Sequence, residues 1–154
     1  MHGKSDAGNE MSQIMLPKDF CIDDPLYAML NEQEVLPAQA DYCFIIEKRK
    51  FIKVLFSDIM SIEASRVYVI INMLSGGKYH LLITLNELEK RLPVRAFCRV
   101  HRSCIIPFEG ITEIRLHQIM VHGRLYPLSE AYRKKLIALL SPFVFHPRFP
   151  RKTS

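Results

Sequence analysis

Phe97-Cys98-Arg99-Val100-His101-Arg102-Ser103-Cys104-Ile105-Ile106, running on through Pro107 to Gly110-Ile111, is the stretch whose reading decides the fold. Three polar or cationic side chains, His101, Arg102 and Ser103, interrupt two short apolar runs. That order predicts a strand, a corner at the surface and a second strand. Taken alone, the corner has three readings: an anion site, a solvated bend, or part of a catalytic group.

Working outward, the flanking segments carry the same short-strand signal. Tyr42-Cys43-Phe44-Ile45-Ile46 and Phe51-Ile52-Lys53-Val54-Leu55-Phe56 are joined by the charged turn Glu47-Lys48-Arg49-Lys50, as in a hairpin. Ile59-Met60-Ser61-Ile62-Glu63 alternates apolar with polar, Ala64-Ser65-Arg66 makes a corner, and Val67 to Met73 is rich in β-branched residues. Ser75-Gly76-Gly77 turns the chain back into Lys78 to Ile83. Thr84-Leu85-Asn86-Glu87 fits a capping box, and Leu85, Leu88 and Leu92 share one face of a short helix that Pro93 stops.

Beyond the opening stretch, Ile111 to Leu116, Gln118 to Val121 and Arg124 to Leu128 read as further strands, with turns at His117-Gln118 and His122-Gly123. Ser129 is expected to cap a second helix whose apolar face is Tyr132, Leu136, Leu139 and Leu140, and Ser141-Pro142 ends it. Consecutive short strands with two small helices predict a mainly β, antiparallel domain.

Residues 1–40 hold 2 Lys/Arg against 7 Asp/Glu, a net of −5, whereas residues 41–154 hold 19 against 9, a net of +10. Residues 1–40 are therefore expected to form an acidic leader or linker with one short helix from Pro25 through Leu30, 41–140 a single basic domain, and 141–154 a basic, proline-containing tail. A body this cationic attracts polyanions, nucleic acid or an acidic membrane surface, although a well-solvated basic face accounts for the charge equally well. No apolar run reaches the length of a bilayer span, and no secretory signal opens the chain. Cys21, Cys43, Cys98 and Cys104 form no Cys-x-x-Cys pair, so a reduced, cytoplasmic protein is expected.

Asp58-Ile59-Met60-Ser61-Ile62-Glu63-Ala64, the strand from Tyr68, the Leu85 to Leu92 helix, the Arg99-Val100-His101-Arg102-Ser103 block, Ile111, and Pro127-Leu128-Ser129 succeed one another in a characteristic order. Over about residues 42–140 this order resembles the LytTR family of bacterial DNA-binding domains. The resemblance implies an antiparallel β-sandwich of short strands in stacked sheets that inserts loops, rather than a recognition helix, into major grooves. It implies a partner, double-stranded DNA at promoter direct repeats, with two copies per site. It also implies a transcription regulator, here without the receiver domain that usually precedes the domain in family members. From the residues themselves no catalytic activity or cofactor is expected, nor a metal site, because no pair among His80, His101, His117, His122 and the cysteines has ligand spacing with a second pair nearby.

Carried onto this sequence, the resemblance implies DNA contact from Arg66 and Tyr68 at the first corner, from Arg102 with His101 at the second, and from the start of the last helix. There the chain departs from the family's pattern: Glu130, Ala131 and Tyr132 stand where arginines are usual, and the first cations are Arg133, Lys134 and Lys135. Pro107 likewise stands where the family often has Asn. Arg102 offers a planar fork suited to a guanine edge or a phosphate. His101 either donates to a phosphate or bonds a carbonyl within its turn, Ser103 is a local backbone partner, and Tyr68 is either core or contact. Lys48, Arg49 and Lys50 read as a soluble hairpin tip, and Arg133, Lys134 and Lys135 as phosphate contacts or a solvated face.

No nucleophile is expected from His101 with Ser103 or Cys104, because strand neighbours point apart and no orienting acid is adjacent. Cys98 and Cys104 flank the corner, which opens the idea of a redox switch beside the plainer reading of buried, inert thiols. A competing function is a protein-interaction module with degenerate DNA binding, which docks a partner regulator; Glu130 and Ala131 at the expected basic positions are its support.

Overall fold

The computed structural model describes residues 25–30 and 36–147. The expectations for the rest of the leader and for the end of the tail lie outside those residues. A short helix α1 (Pro25–Ala28) precedes the hairpin β1 (Tyr42–Glu47) and β2 (Lys50–Leu55). A five-stranded antiparallel sheet comes next, from β3 (Ile59–Ser65), β4 (Tyr68–Met73), β5 (Lys78–Leu81), β6 (Phe97–His101) and β7 (Cys104–Pro107), in the order β5-β4-β3-β7-β6. The helix α2 (Leu85–Arg91) lies between β5 and β6 in sequence. Then β8 (Ile111–Ile114), β9 (Gln118–Val121) and β10 (Arg124–Pro127) make a three-stranded sheet, and α3 (Glu130–Leu140) closes the body.

The stacking is a consequence of strand alternation. Successive side chains on a strand face opposite ways, so a strand buried on both faces must be apolar at every position. In β6 and β7 this is nearly met, because Phe97 and Ile105 enter one core while Cys98, Val100, Cys104 and Ile106 enter another. The first core lies between the five-stranded sheet, the β1–β2 hairpin (Ile45, Val54) and α2 (Leu85). The second lies between the same sheet, the three-stranded sheet (Ile119, Val121, Tyr126) and α3 (Leu136). The expected sandwich of stacked antiparallel sheets is therefore found, with the five-stranded sheet as its middle layer.

The helices sit where their apolar faces dictate. Leu85, Leu88 and Leu92 face the first core as their spacing predicted, and the Glu87 N–H donates to the Thr84 hydroxyl at 3.1 Å. On α3, Leu136 is fully buried and Leu140 packs beside it, but Leu139 stays 42% exposed. The buried stripe runs along Leu136 and Leu140, four residues apart, and Leu139 falls one helical step outside it. The expected cap is also absent: the Ser129 hydroxyl is buried without a hydrogen-bond partner and caps nothing. Its backbone is used instead, the N–H donating to the Val100 carbonyl at 3.0 Å and the carbonyl accepting from Arg133 N–H at 2.8 Å.

Candidate nucleic-acid interface

Two turns meet at one end of the middle sheet. Strand β3 pairs with β7, placing Glu63 opposite Cys104, so the Ser65-Arg66-Val67 corner and the His101-Arg102-Ser103 corner emerge side by side. The Ala64 N–H donates to the Ser103 carbonyl at 2.9 Å and joins them. Between these turns and the start of α2 runs a groove of about 540 Å³ whose walls include Arg66, Tyr68, Leu85, Arg99 and Arg102.

Each turn has a local cause. Between Arg99 and His101 the β6–β7 register slips by one residue, so β6 carries an extra residue before the corner. Such a bulge bends a strand and re-aims the side chains beyond it, and here it takes the chain from a doubly buried strand to an exposed Arg102. The other corner is a two-residue turn in which Ser65 opposes Tyr68 and Arg66 adopts φ 59°. That left-handed conformation is unfavourable for a residue with a Cβ, by roughly 1–2 kcal/mol. Lys48, Arg49 and His122 take the same region at their own turns, and tight hairpin loops favour it.

The side chains at this end divide into exposed ones and ones bonded within the protein. The Arg66 and Arg102 side chains are exposed, and among the described residues the Arg102 guanidinium has no protein hydrogen-bond partner. The His101 Nδ1 accepts from the Ser103 N–H at 3.2 Å and lies 2.9 Å from Ser103 Oγ. A backbone N–H can only donate, so in the neutral ring the proton sits on Nε2. Histidine and serine thus do meet, because the turn folds Ser103 back onto His101, and the contact serves the turn. Tyr68 is half-buried and meets His80 edge to face, with centroids 5.9 Å apart.

The last helix reaches the same end of the sheet, because its Ser129 N–H bonds Val100, next to His101. Its cations separate in role. Arg133 donates to the Leu116 carbonyl at 2.6 Å, steadying the β8–β9 connection, whereas Lys134 and Lys135 are exposed. Lys48, Arg49 and Lys50 stand at the tip of the β1–β2 hairpin and do not line the groove.

One residue at this end was not singled out in the sequence. Arg99, 7% exposed, donates to the His101 carbonyl at 2.9 Å, to the Arg102 carbonyl at 2.5 Å, to Asn86 Oδ1 at 2.8 Å and to Glu89 Oε1 at 2.7 Å. The Tyr132 ring lies over its guanidinium at 5.5 Å. A cation alone in the apolar run Phe97-Cys98-Arg99-Val100 was the available signal, because a buried charge must be paired. Tyr132, at one of the positions where an arginine was expected, covers this buried cation.

The thiols flanking the turn face the second core. Burial pushes Cys98 up to about 11, Lys135 pulling it back a little and Glu89 adding to it, and pushes Cys104 up to about 12. Both are free thiols. No helix among the described residues is long and apolar enough to cross a membrane.

Comparison with known proteins bears on the body of the molecule. A family model described as the LytTr DNA-binding domain matches residues 49–141. The Sensory transduction proteins LytT of Bacillus anthracis and Bacillus cereus are each 44% identical over 63 residues, which cover 37% of this chain and 26% of theirs. The chain thus spans about a quarter of the length of those curated relatives. A solved structure of the LytTr DNA-binding domain of a Bacillus cereus protein, described as a methyl-accepting/DNA response regulator, superposes with a TM-score of 0.54. It is 26% identical, over 66% of this chain and 97% of that one.

Proposed function

The chain belongs to the LytTr DNA-binding domain family, and from that premise we propose that it is a cytoplasmic transcription regulator that recognises particular duplex sequences through its loops. Residues 41–140 form the DNA-binding domain in this reading, flanked by the acidic leader 1–40 and the basic tail 141–154. Arg102 and Arg66 enter the major groove, with His101 Nε2–H and Tyr68 beside them and Lys134 on a flanking phosphate. Arg133 contributes by holding the β8–β9 connection in place.

The observation that carries this reading is the Ala64–Ser103 backbone bond, which sets two arginine-bearing turns side by side at one end of a rigid sheet. Base-edge contacts specify and phosphate contacts position, and both need cations projecting from a fixed frame. The competing reading, a protein-interaction module with degenerate DNA binding, gives no reason for two exposed arginines, Arg66 and Arg102, side by side on one groove.

Selection of bound duplexes from a random pool tests the proposal. An enriched motif repeated in the same orientation at a fixed spacing, bound by two copies, is the expected result. Recovery of no motif would transfer support to the interaction module.

A further inference from the structure

We infer that Arg99 is a positioning residue: a latch that fixes the conformation of the His101-Arg102-Ser103 turn so that Arg102 is presented in one orientation. The inference rests on the reading of Arg102 as a DNA contact and adds to it the group that makes that contact selective. Arg99 touches no DNA in this account. It acts through the backbone of its neighbours.

The geometry points to this role in three ways. First, the guanidinium spends two of its donors on successive carbonyls of the reading turn, His101 at 2.9 Å and Arg102 at 2.5 Å. A buried arginine that served only the core would find its acceptors there. Second, Nη1 spans to α2, meeting Asn86 Oδ1 at 2.8 Å and Glu89 Oε1 at 2.7 Å, so the turn is fastened to a separate packed element. Third, Tyr132 of α3 closes over the planar group at 5.5 Å and shields it from water. Arginine's rigid fork can hold all of these acceptors in one plane, which the single ammonium of lysine cannot do. The Arg102 side chain leaves the backbone beside the carbonyl that Arg99 holds, so freeing that carbonyl frees the direction of the side chain.

A duplex selected from a random pool by the unaltered full-length chain, compared with a scrambled duplex of equal length, tests the latch. Arg99→Ala is a poor variant, since it leaves Glu89 unpaired and a hole in the sheet. Glu89→Gln with Asn86→Ala weakens the α2 side while keeping the arginine. In this double variant, affinity for the selected duplex is expected to fall about tenfold, with affinity for the scrambled duplex and its salt dependence unchanged. The Arg102 and Ser103 amides should exchange hydrogen faster. An unchanged ratio between the two duplexes overturns the inference, as does an equal loss on both, which general destabilisation would produce. If the double variant unfolds, Glu89→Gln alone, which keeps an acceptor in place, is read by the same criteria. Arg102→Ala separates the failures: if it leaves the ratio intact, the DNA reading of the turn falls and the latch with it. If it collapses the ratio while the α2 variants do not, the latch alone falls.

Discussion

The ring of His122 lies directly on the α-carbon of Gly110. A Cβ built at Gly110 would collide with His122 Nε2 and come within 2.9 Å of Val121 Cγ1, and the His122 N–H donates to the Gly110 carbonyl at 2.9 Å. Gly110 is therefore required for lack of a side chain, not for its backbone angles. Gly110→Ala is expected to destabilise the domain by about 1–3 kcal/mol through overpacking. His122→Asn in the same background should recover part of the loss, because Asn tolerates the φ of 50° at that turn and removes most of the ring. Denaturant midpoints of the four chains in this cycle measure it, and an unperturbed Gly110→Ala would refute the close contact.

Arg66→Gly should separate stability from function. Relief of about 1 kcal/mol of left-handed strain is set against about 0.5–1 kcal/mol of added chain entropy in the unfolded state. The melting temperature should barely move. DNA affinity should fall nonetheless, because the cation is gone from the corner. Thermal unfolding and fluorescence anisotropy report the two quantities, and unchanged binding would remove Arg66 from the interface.

Arg102 and Lys134 should fail differently. Arg102→Ala is expected to cost about 1–3 kcal/mol on a selected duplex and to relax its sequence preference. Lys134→Ala should weaken all duplexes alike and reduce the salt slope by about 1. For the unaltered chain with roughly 4 to 6 phosphate contacts, log K should drop by about 0.9 per contact per decade of salt. Titrations at several salt concentrations give slope and preference together; a flat salt dependence would contradict the electrostatic account.

The cysteines beside the turn should be silent. With Cys98 at about 11 and Cys104 at about 12, the thiolate nucleophile is scarce near pH 8, so iodoacetamide should label both only after unfolding. The linked effect on stability has a definite sign. Folded values lie above the unfolded value of about 8.5, so the stability is fully present below that pH and is lost as pH rises toward 11–12. Mass spectrometry of native labelling and an alkaline unfolding series check the two statements. Rapid labelling of the folded chain would revive the redox switch.

Much of the fold is legible along the chain because strands, turns and caps are local matters. The Gly76 turn and the Leu85, Leu88 and Leu92 face formed where those residues predicted, and Ile59 to Glu63 formed a strand, although its register is irregular between Ile59 and Ser61 and polar Ser61 is as buried as Ile62. Leu139 departs from its expected face because Leu136 and Leu140 took the core stripe, and the Ser129 hydroxyl is buried without a hydrogen-bond partner instead of capping the helix. Arg133 reads as one more cation beside Lys134 until the Leu116 carbonyl comes within 2.6 Å across 17 residues of chain.

By itself the sequence determined the strands and helices, the basic body and the two arginine-bearing corners, since each depends on side chains within a few residues of one another. Only the tertiary structure decided that Arg66 and Arg102 share one groove, that Arg99 bonds the His101 and Arg102 carbonyls while Ser103 bonds His101 and Ala64, and that Tyr132 covers a buried cation. Those facts stem from the β3–β7 pairing and from the packing of α2 and α3 beside it. Pairings between distant segments are selected by the burial of whole sheet faces, a collective quantity that no single stretch of the chain contains.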